Sequence, residues 1–120
     1  MLVVLGNACR DITFRVASLP APGETLTALE MRSGLGGKGL NQAIAAARTG
    51  AEVKFVAAIG NDSAAASIRT VLQLENMTDA GLVEQMGETD LSAIIVAAGG
   101  ENVIVTHSAR AASLAIEDIR

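Results

Sequence analysis

Tryptophan and tyrosine are absent from this chain, phenylalanine occurs twice, and cysteine and histidine occur once each. A core without large rings has to be packed from small and branched aliphatic side chains at close range. Alanine alone supplies 22 of the 120 residues. The lone Cys9 cannot close an internal disulfide, and with His107 as the single histidine a zinc site or a Cys-His-Asn triad is poorly supplied. Basic residues are also scarce: nine Lys and Arg against thirteen Asp and Glu leave a net charge of −4. That balance argues against nucleic acid or an anionic membrane as a partner, both of which need clustered Lys and Arg. It leaves room for a small anionic ligand held by a few donors. No apolar run approaches the roughly 18 residues of a membrane-spanning helix. Met1 leads directly into Leu2-Val3-Val4-Leu5 without a basic region, and Gly6-Asn7 ends that run far short of a signal peptide, so the expected location is cytoplasmic.

What is present suits one modest domain. Residues 2–5 are all apolar, which predicts a strand buried on both faces, as in a parallel sheet. Asp11 to Val16 alternates instead, with Ile12, Phe14 and Val16 on one face and Thr13 and Arg15 on the other, the pattern of a half-exposed strand. Pro20, Pro22 and Gly23 make a turn, and Glu24 to Ser33 resumes a β-like pattern whose phase slips at Leu29. A helix is expected up to Arg48 with Gly50 at its C-terminal end, then an apolar strand over Val53–Ile59. A second helix is predicted from Ser63 to about Glu75, with Asp62 or Ser63 as N-cap and Ala64, Ala65, Ile68, Val71 and Leu72 on one stripe. After a polar stretch, Leu91–Ala98 and Asn102–Thr106 read as a hairpin across Gly99-Gly100-Glu101, and Ser113 opens a new helix that reaches Arg120 after barely two turns. Buried strands alternating with helices imply an α/β layer, and the half-exposed strands imply a small β lid projecting from it.

Gly34, Gly36, Gly37 and Gly39 surround Lys38 just before the first helix. The run satisfies G-x-G-x-x-G, but the strand before it carries Thr25, Thr27, Glu30 and Arg32, whereas a dinucleotide fingerprint follows a buried apolar strand. A P-loop needs Lys followed by Ser or Thr, and here Gly39 follows. A plain flexible turn remains open, although each glycine costs roughly 0.5–1 kcal/mol of ordering entropy. Four of them make more sense where backbone N–H groups meet a ligand at a helix N-terminus, with Lys38 and Asn41 facing the same space.

Gly36-Gly37-Lys38-Gly39-Leu40-Asn41-Gln42-Ala43, then Gly50, then Gly60, resembles the first signature of the ribokinase-like (PfkB) carbohydrate kinases. Leu5-Gly6 with Asp11, the Leu19 to Thr25 turn, Gly60-x-Asp62 and Gly100-Glu101-Asn102-Val103-Ile104 extend the resemblance along the whole chain.

The resemblance implies a parallel-sheet α/β core (about 1–6, 34–90 and 107–120) with a β lid (about 11–33 and 91–106) over a sugar site. It further implies an ATP- and magnesium-dependent kinase acting on a sugar or nucleoside hydroxyl. The shared face of Ile12, Phe14 and Val16 is expected either to pair two protomers as a homodimer through the lid or to cover the ligand. Asp11 would accept hydrogen bonds from sugar hydroxyls, and Gly37, Lys38, Gly39 and Asn41 would make contacts from the other side, with Cys9 close by. On residue type alone, Asp11 also suits a solvated strand entry and Asn41 an ordinary helix surface. Cys9 stands where ribokinases proper carry Asn, and Ala109-Arg110-Ala111 replaces a Gly-Ala-Asn run, so the sugar stays open. Cys9 reads as a small near-site residue rather than a reactive thiol, His107 as a lid-edge residue, and Asp62 as a helix cap.

The family runs to about two and a half times this length. Its Gly-Ala-Gly-Asp-like motif with the catalytic base, its Asn-x-x-Glu motif and its ATP pocket have no counterpart among these residues, so an N-terminal portion is expected, inactive by itself. The alternative is a short chain of the same fold that binds a ligand or oligomerises without catalysis.

Overall fold

The computed structural model describes residues 1–108, 110–115 and 117 and contains two sheets. The first is parallel throughout, with β1 (Leu2–Leu5), β4 (Val53–Ile59) and β5 (Leu82–Glu84) in the order β1-β4-β5. Two helices, α1 (Lys38–Arg48) and α2 (Ser63–Leu74), pack on one face of it. Val53, Phe55, Ala57 and Ile59 alternate along β4 and meet Leu40 and Ala43 of α1 and Ala65, Ile68 and Leu72 of α2 in a single buried cluster. Alanines at the helix–sheet contacts let a chain poor in aromatics reach close packing, with Phe55 as the one large ring at its centre. Asp62 caps α2 as expected, its Oδ1 accepting from the Ala65 amide at 3.1 Å.

The second sheet is mixed, ordered β3-β2-β6-β7, with β2 (Cys9–Val16), β3 (Glu30–Gly36), β6 (Asp90–Ala97) and β7 (Asn102–His107). β2 pairs antiparallel with β3 and parallel with β6, and β6 and β7 form the hairpin expected across Gly99-Gly100-Glu101. This sheet projects from the α/β layer: the radius of gyration is 16.1 Å, against about 14 Å for a compact domain of this length.

Three expectations are corrected. β1 is a strand with the anticipated parallel partner, but it is not buried on both faces, since Leu2, Val3 and Leu5 are 48%, 53% and 52% exposed. β4 is its one hydrogen-bonded neighbour among the described residues, and Val4 is the β1 side chain that packs against the helix-covered cluster. β3 begins at Glu30 rather than Glu24, because the chain bends at Leu29, whose amide reaches the Arg15 carbonyl at 2.7 Å. It then continues through Gly34 to Gly36, so half of the glycine cluster lies in a strand of the lid sheet. Ser113 does not open a helix. It ends a 3-10 turn, Ala111–Ser113, and its hydroxyl bonds back to the Arg110 carbonyl and to Gln85, which closes that turn. The remainder of that expected helix, with Asp118, falls outside the described residues, as does Ala109.

Candidate functional site

β3 runs directly into α1, so a single turn at Gly37 joins the lid sheet to the first helix. Gly37 has φ 102°, a left-handed conformation that favours glycine, and it serves as the N-cap. Gly39 is needed for a different reason: a Cβ there would lie 2.5 Å from the Asn7 amide nitrogen and 2.8 Å from the Gly6 Cα. The helix start is thus pressed backbone to backbone against the end of β1.

Asn7 holds the two together. Its side-chain oxygen accepts the Gly39 amide at 3.2 Å and its carbonyl accepts the Leu40 amide at 3.0 Å. Two of the first-turn N–H groups expected to face a ligand therefore bond to protein. Lys38 and Asn41 are exposed, and their side chains make no hydrogen bond among the described residues. They are the groups of the first turn free to reach a ligand.

Asp11 stands on β2 directly opposite Gly34 of β3 and Ser92 of β6. It is half-buried, and its Oδ2 occupies the space that a side chain at Gly36 would fill. The glycine is thus what admits the carboxylate. Cys9, 5% exposed, shares the sheet face of Asp11 and its Sγ lies 3.3 Å from Asp11 Oδ1. Burial, the hydrogen bond to Asp11 and the nearby Asp11 and Asp90 charges push the thiol up to about 11, against a weaker opposing effect of Ser92. At neutral pH it is a protonated donor, far from a reactive thiolate.

Asp11, Cys9 and the Gly36-Gly37 turn are thereby gathered at one place, with Lys38 and Asn41 on the helix turn that follows. His107 is exposed at the end of β7, where it lines a separate cleft of about 250 Å³ with Glu88, Asp90 and Arg110.

Local pattern did not single out Asn7, Ser92 or Asp90. Asn7 is an N-cap residue type next to a glycine, but the helix it serves begins 31 positions later. The buried Asp90 accepts the Arg110 and Ala111 amides at 2.7 and 3.0 Å and so ties the end of the hairpin back to its start. Among the described residues no three His, Cys, Asp or Glu side chains converge to hold a metal ion. The arrangement offers a ligand a carboxylate acceptor from the lid sheet and an amide and an ammonium from the helix start.

Residues 1–119 match the pfkB family of carbohydrate kinases. The chain is 39% identical over 108 residues to a ribokinase of Haemophilus influenzae, an alignment that covers 89% of this chain and 35% of that protein. It superposes on the crystal structure of ribokinase from Thermotoga maritima with a TM-score of 0.81 and 33% identity, covering 88% of this chain and 35% of that one. The Arabidopsis thaliana ribokinase complexed with ribose and ATP gives a TM-score of 0.80 and 28% identity at the same coverages. The chain spans about a third of the length of these relatives.

Proposed function

The chain belongs to the pfkB family of carbohydrate kinases, and from that premise we propose that it forms the sugar-binding wall and lid of an enzyme that phosphorylates a sugar or nucleoside hydroxyl with ATP. The observation that carries this reading is the seating of Asp11 against Gly36, one turn from the glycine-opened start of α1. A carboxylate accepts from two vicinal hydroxyls at once, and such charge-assisted bonds are the stronger kind. Asn41 and Lys38 address the same ligand from the helix.

ATP supplies the phosphoryl group. Magnesium is commonly held by one or two carboxylates together with substrate phosphates, and we assign neither those carboxylates nor the base and nucleotide cradle to residues of this chain. The role of this chain is to bind and orient the acceptor, and residues 1–120 by themselves transfer no phosphate. Support for sugar and nucleotide as ligands comes from the relative solved with ribose and ATP.

Calorimetry with a panel of pentoses, hexoses and nucleosides tests the site. Asp11→Ala and Asn41→Ala are each expected to weaken binding at least tenfold, in keeping with the roughly 1.5–3 kcal/mol of a hydrogen bond to a charged group. Wild-type affinity in both variants would refute the assignment.

A second reading, ligand binding with self-association but no catalysis, is favoured by one feature. The edge strand β7 leaves Val103, Ile104 and Val105 46%, 55% and 67% exposed. Pairing of two lids would cover that edge.

A further inference from the structure

β3, β2, β6 and β7 lie side by side, and their register sets Gly34, Asp11, Ser92 and Thr106 in one row across the lid sheet. Residues paired in this way present their side chains on one face, so the whole row lies on the face that carries Asp11. Two strand spacings, about 9.5 Å, separate the backbones at Asp11 and Thr106. Beside Asp11, Gly34 leaves open space where a Cβ would stand. At the far end of the row, the Ser92 and Thr106 hydroxyls are 3.0 Å apart. Ser92 is 8% exposed, whereas Thr106 is exposed on the edge strand.

We propose that the Thr106 hydroxyl, held in place by Ser92, is a second ligand contact on the lid and reads a sugar hydroxyl other than those accepted by Asp11. The proposal rests on the reading of Asp11 given above and deepens it by naming the ligand edge that the site selects. Thr106 is then a specificity-determining residue, and Ser92 a positioning residue that acts through it.

The chemistry of the row sets the class of ligand. Each hydroxyl carries one proton and two lone pairs, and the bond between them leaves one proton and three lone pairs for other partners. A carboxylate at Asp11 adds acceptors and no donor. The row therefore accepts more hydrogen bonds than it donates. A sugar edge with a free hydroxyl at each end, one donating to Asp11 and one to Thr106, matches that inventory. A phosphate or carboxylate on the same edge would face the Asp11 charge. A deoxy sugar would leave Thr106 without its ligand partner, and sites that hydrogen-bond a ligand hydroxyl discriminate against analogues lacking it. Cross-strand Ser–Thr pairs also knit neighbouring strands, so the test has to read selectivity rather than stability.

The experiment is calorimetry of the 120-residue chain with the sugars and nucleosides of the panel above, followed by each monodeoxy analogue of the one bound best. Thr106→Val keeps the side-chain shape and removes the hydroxyl. It is expected to weaken the parent sugar roughly three- to tenfold, the range of a neutral hydrogen bond, while binding one of the deoxy analogues as the wild type does. Discrimination against the other analogues persists, because Asp11 is untouched. Thr106→Ser retains the wild-type pattern, and Ser92→Ala moves it part of the way toward Thr106→Val. Circular dichroism confirms the fold of each variant.

Wild-type discrimination against every analogue in Thr106→Val overturns the lid contact. So does uniform weakening of the sugar and all its analogues, the mark of a merely structural role. In either case Asp11→Ala decides separately whether the reading of Asp11 stands. If the wild-type chain binds no sugar of the panel, both readings fall together.

Discussion

Strands β4 and β7 are both short and rich in branched aliphatic residues, and they end in opposite surroundings. Every β4 residue except Lys54 is buried, whereas all six residues of β7 are exposed. β4 lies between two parallel neighbours with helices over one face, while β7 is the edge of a sheet whose last partner is β6. Apolar composition made both into strands, but only the neighbours determined which one became core. The cost appears at the scale of the molecule. Its accessible surface is 7195 Å², above the roughly 6,100 Å² that scaling gives for a compact protein of this mass. The exposed aliphatic residues of β7 and β1 contribute to that excess.

The largest expected effect breaks this comparison at its most buried point. Phe55 is fully buried at the centre of β4, and Phe55→Ala should cost about 3–5 kcal/mol through lost transfer energy and the cavity left behind. Ile104→Ala on β7 should change stability by no more than about 0.5 kcal/mol, as for other exposed sites. Denaturant unfolding of both variants measures the contrast. If Ile104→Ala proves as damaging as Phe55→Ala, with a loss that grows with protein concentration in the wild type, β7 is covered by a second copy.

The elements legible in the sequence were those whose pattern is local. Helix α2 was readable because Ala64, Ala65, Ile68 and Leu72 trace one stripe behind an Asp cap, and these four side chains are all buried. The β6–β7 hairpin was readable because a glycine turn separates two apolar runs. The burial of β1 was not readable, because periodicity cannot say whether a layer covers each face. At the site, the glycine cluster and Asp11 could be singled out from the sequence. The reason each glycine is there could not, since Gly36 answers to Asp11 and Gly39 to Asn7 and Gly6 across about 25 to 33 positions. Asn7 was hidden in the same way.

Two glycines of that cluster sharpen the contrast between core and lid. Gly39 sits where the helix start meets the backbone of Gly6 and Asn7, and neither contact can yield by a side-chain rotation. Gly39→Ala should therefore cost about 1–3 kcal/mol, the range of overpacking in a closed interior. Gly34 lies on a lid strand with open space where a Cβ would go and without a left-handed φ. Gly34→Ala should be neutral or stabilise by about 0.4–1 kcal/mol, since it restricts the unfolded chain. Thermal melts of the two variants would place them on opposite sides of the wild type. Equal losses would mean that the lid face at Gly34 is as closely covered as the helix start.

The smallest effect compares one carboxylate from each region. Asp62 lies at the base of α2, where burial raises its pKa but hydrogen bonds from the Thr89 hydroxyl, the Thr89 amide and the Ala65 amide outweigh it, so the net shift is downward. Glu30 of the lid is also shifted downward, by Arg32 and then Arg15, on an exposed surface. A carboxylate whose folded pKa lies below its unfolded value stabilises the fold above the unfolded pKa, and that contribution is lost as the pH falls through the folded one. Both groups therefore predict an acid limb of the same sign. Their weights differ, because the Asp62 bonds are to groups held in place by the fold, whereas the Glu30 pairs are screened by water and salt. Asp62→Ala should cost about 1 kcal/mol at neutral pH, as for other N-caps, and should flatten the loss of stability below the ordinary carboxylate range. Glu30→Gln should leave both the neutral stability and the acid limb within experimental error, more clearly so in high salt. Urea unfolding at a series of pH values measures both. An acid limb that flattens in Glu30→Gln and persists in Asp62→Ala would move the acid sensitivity from the core to the lid.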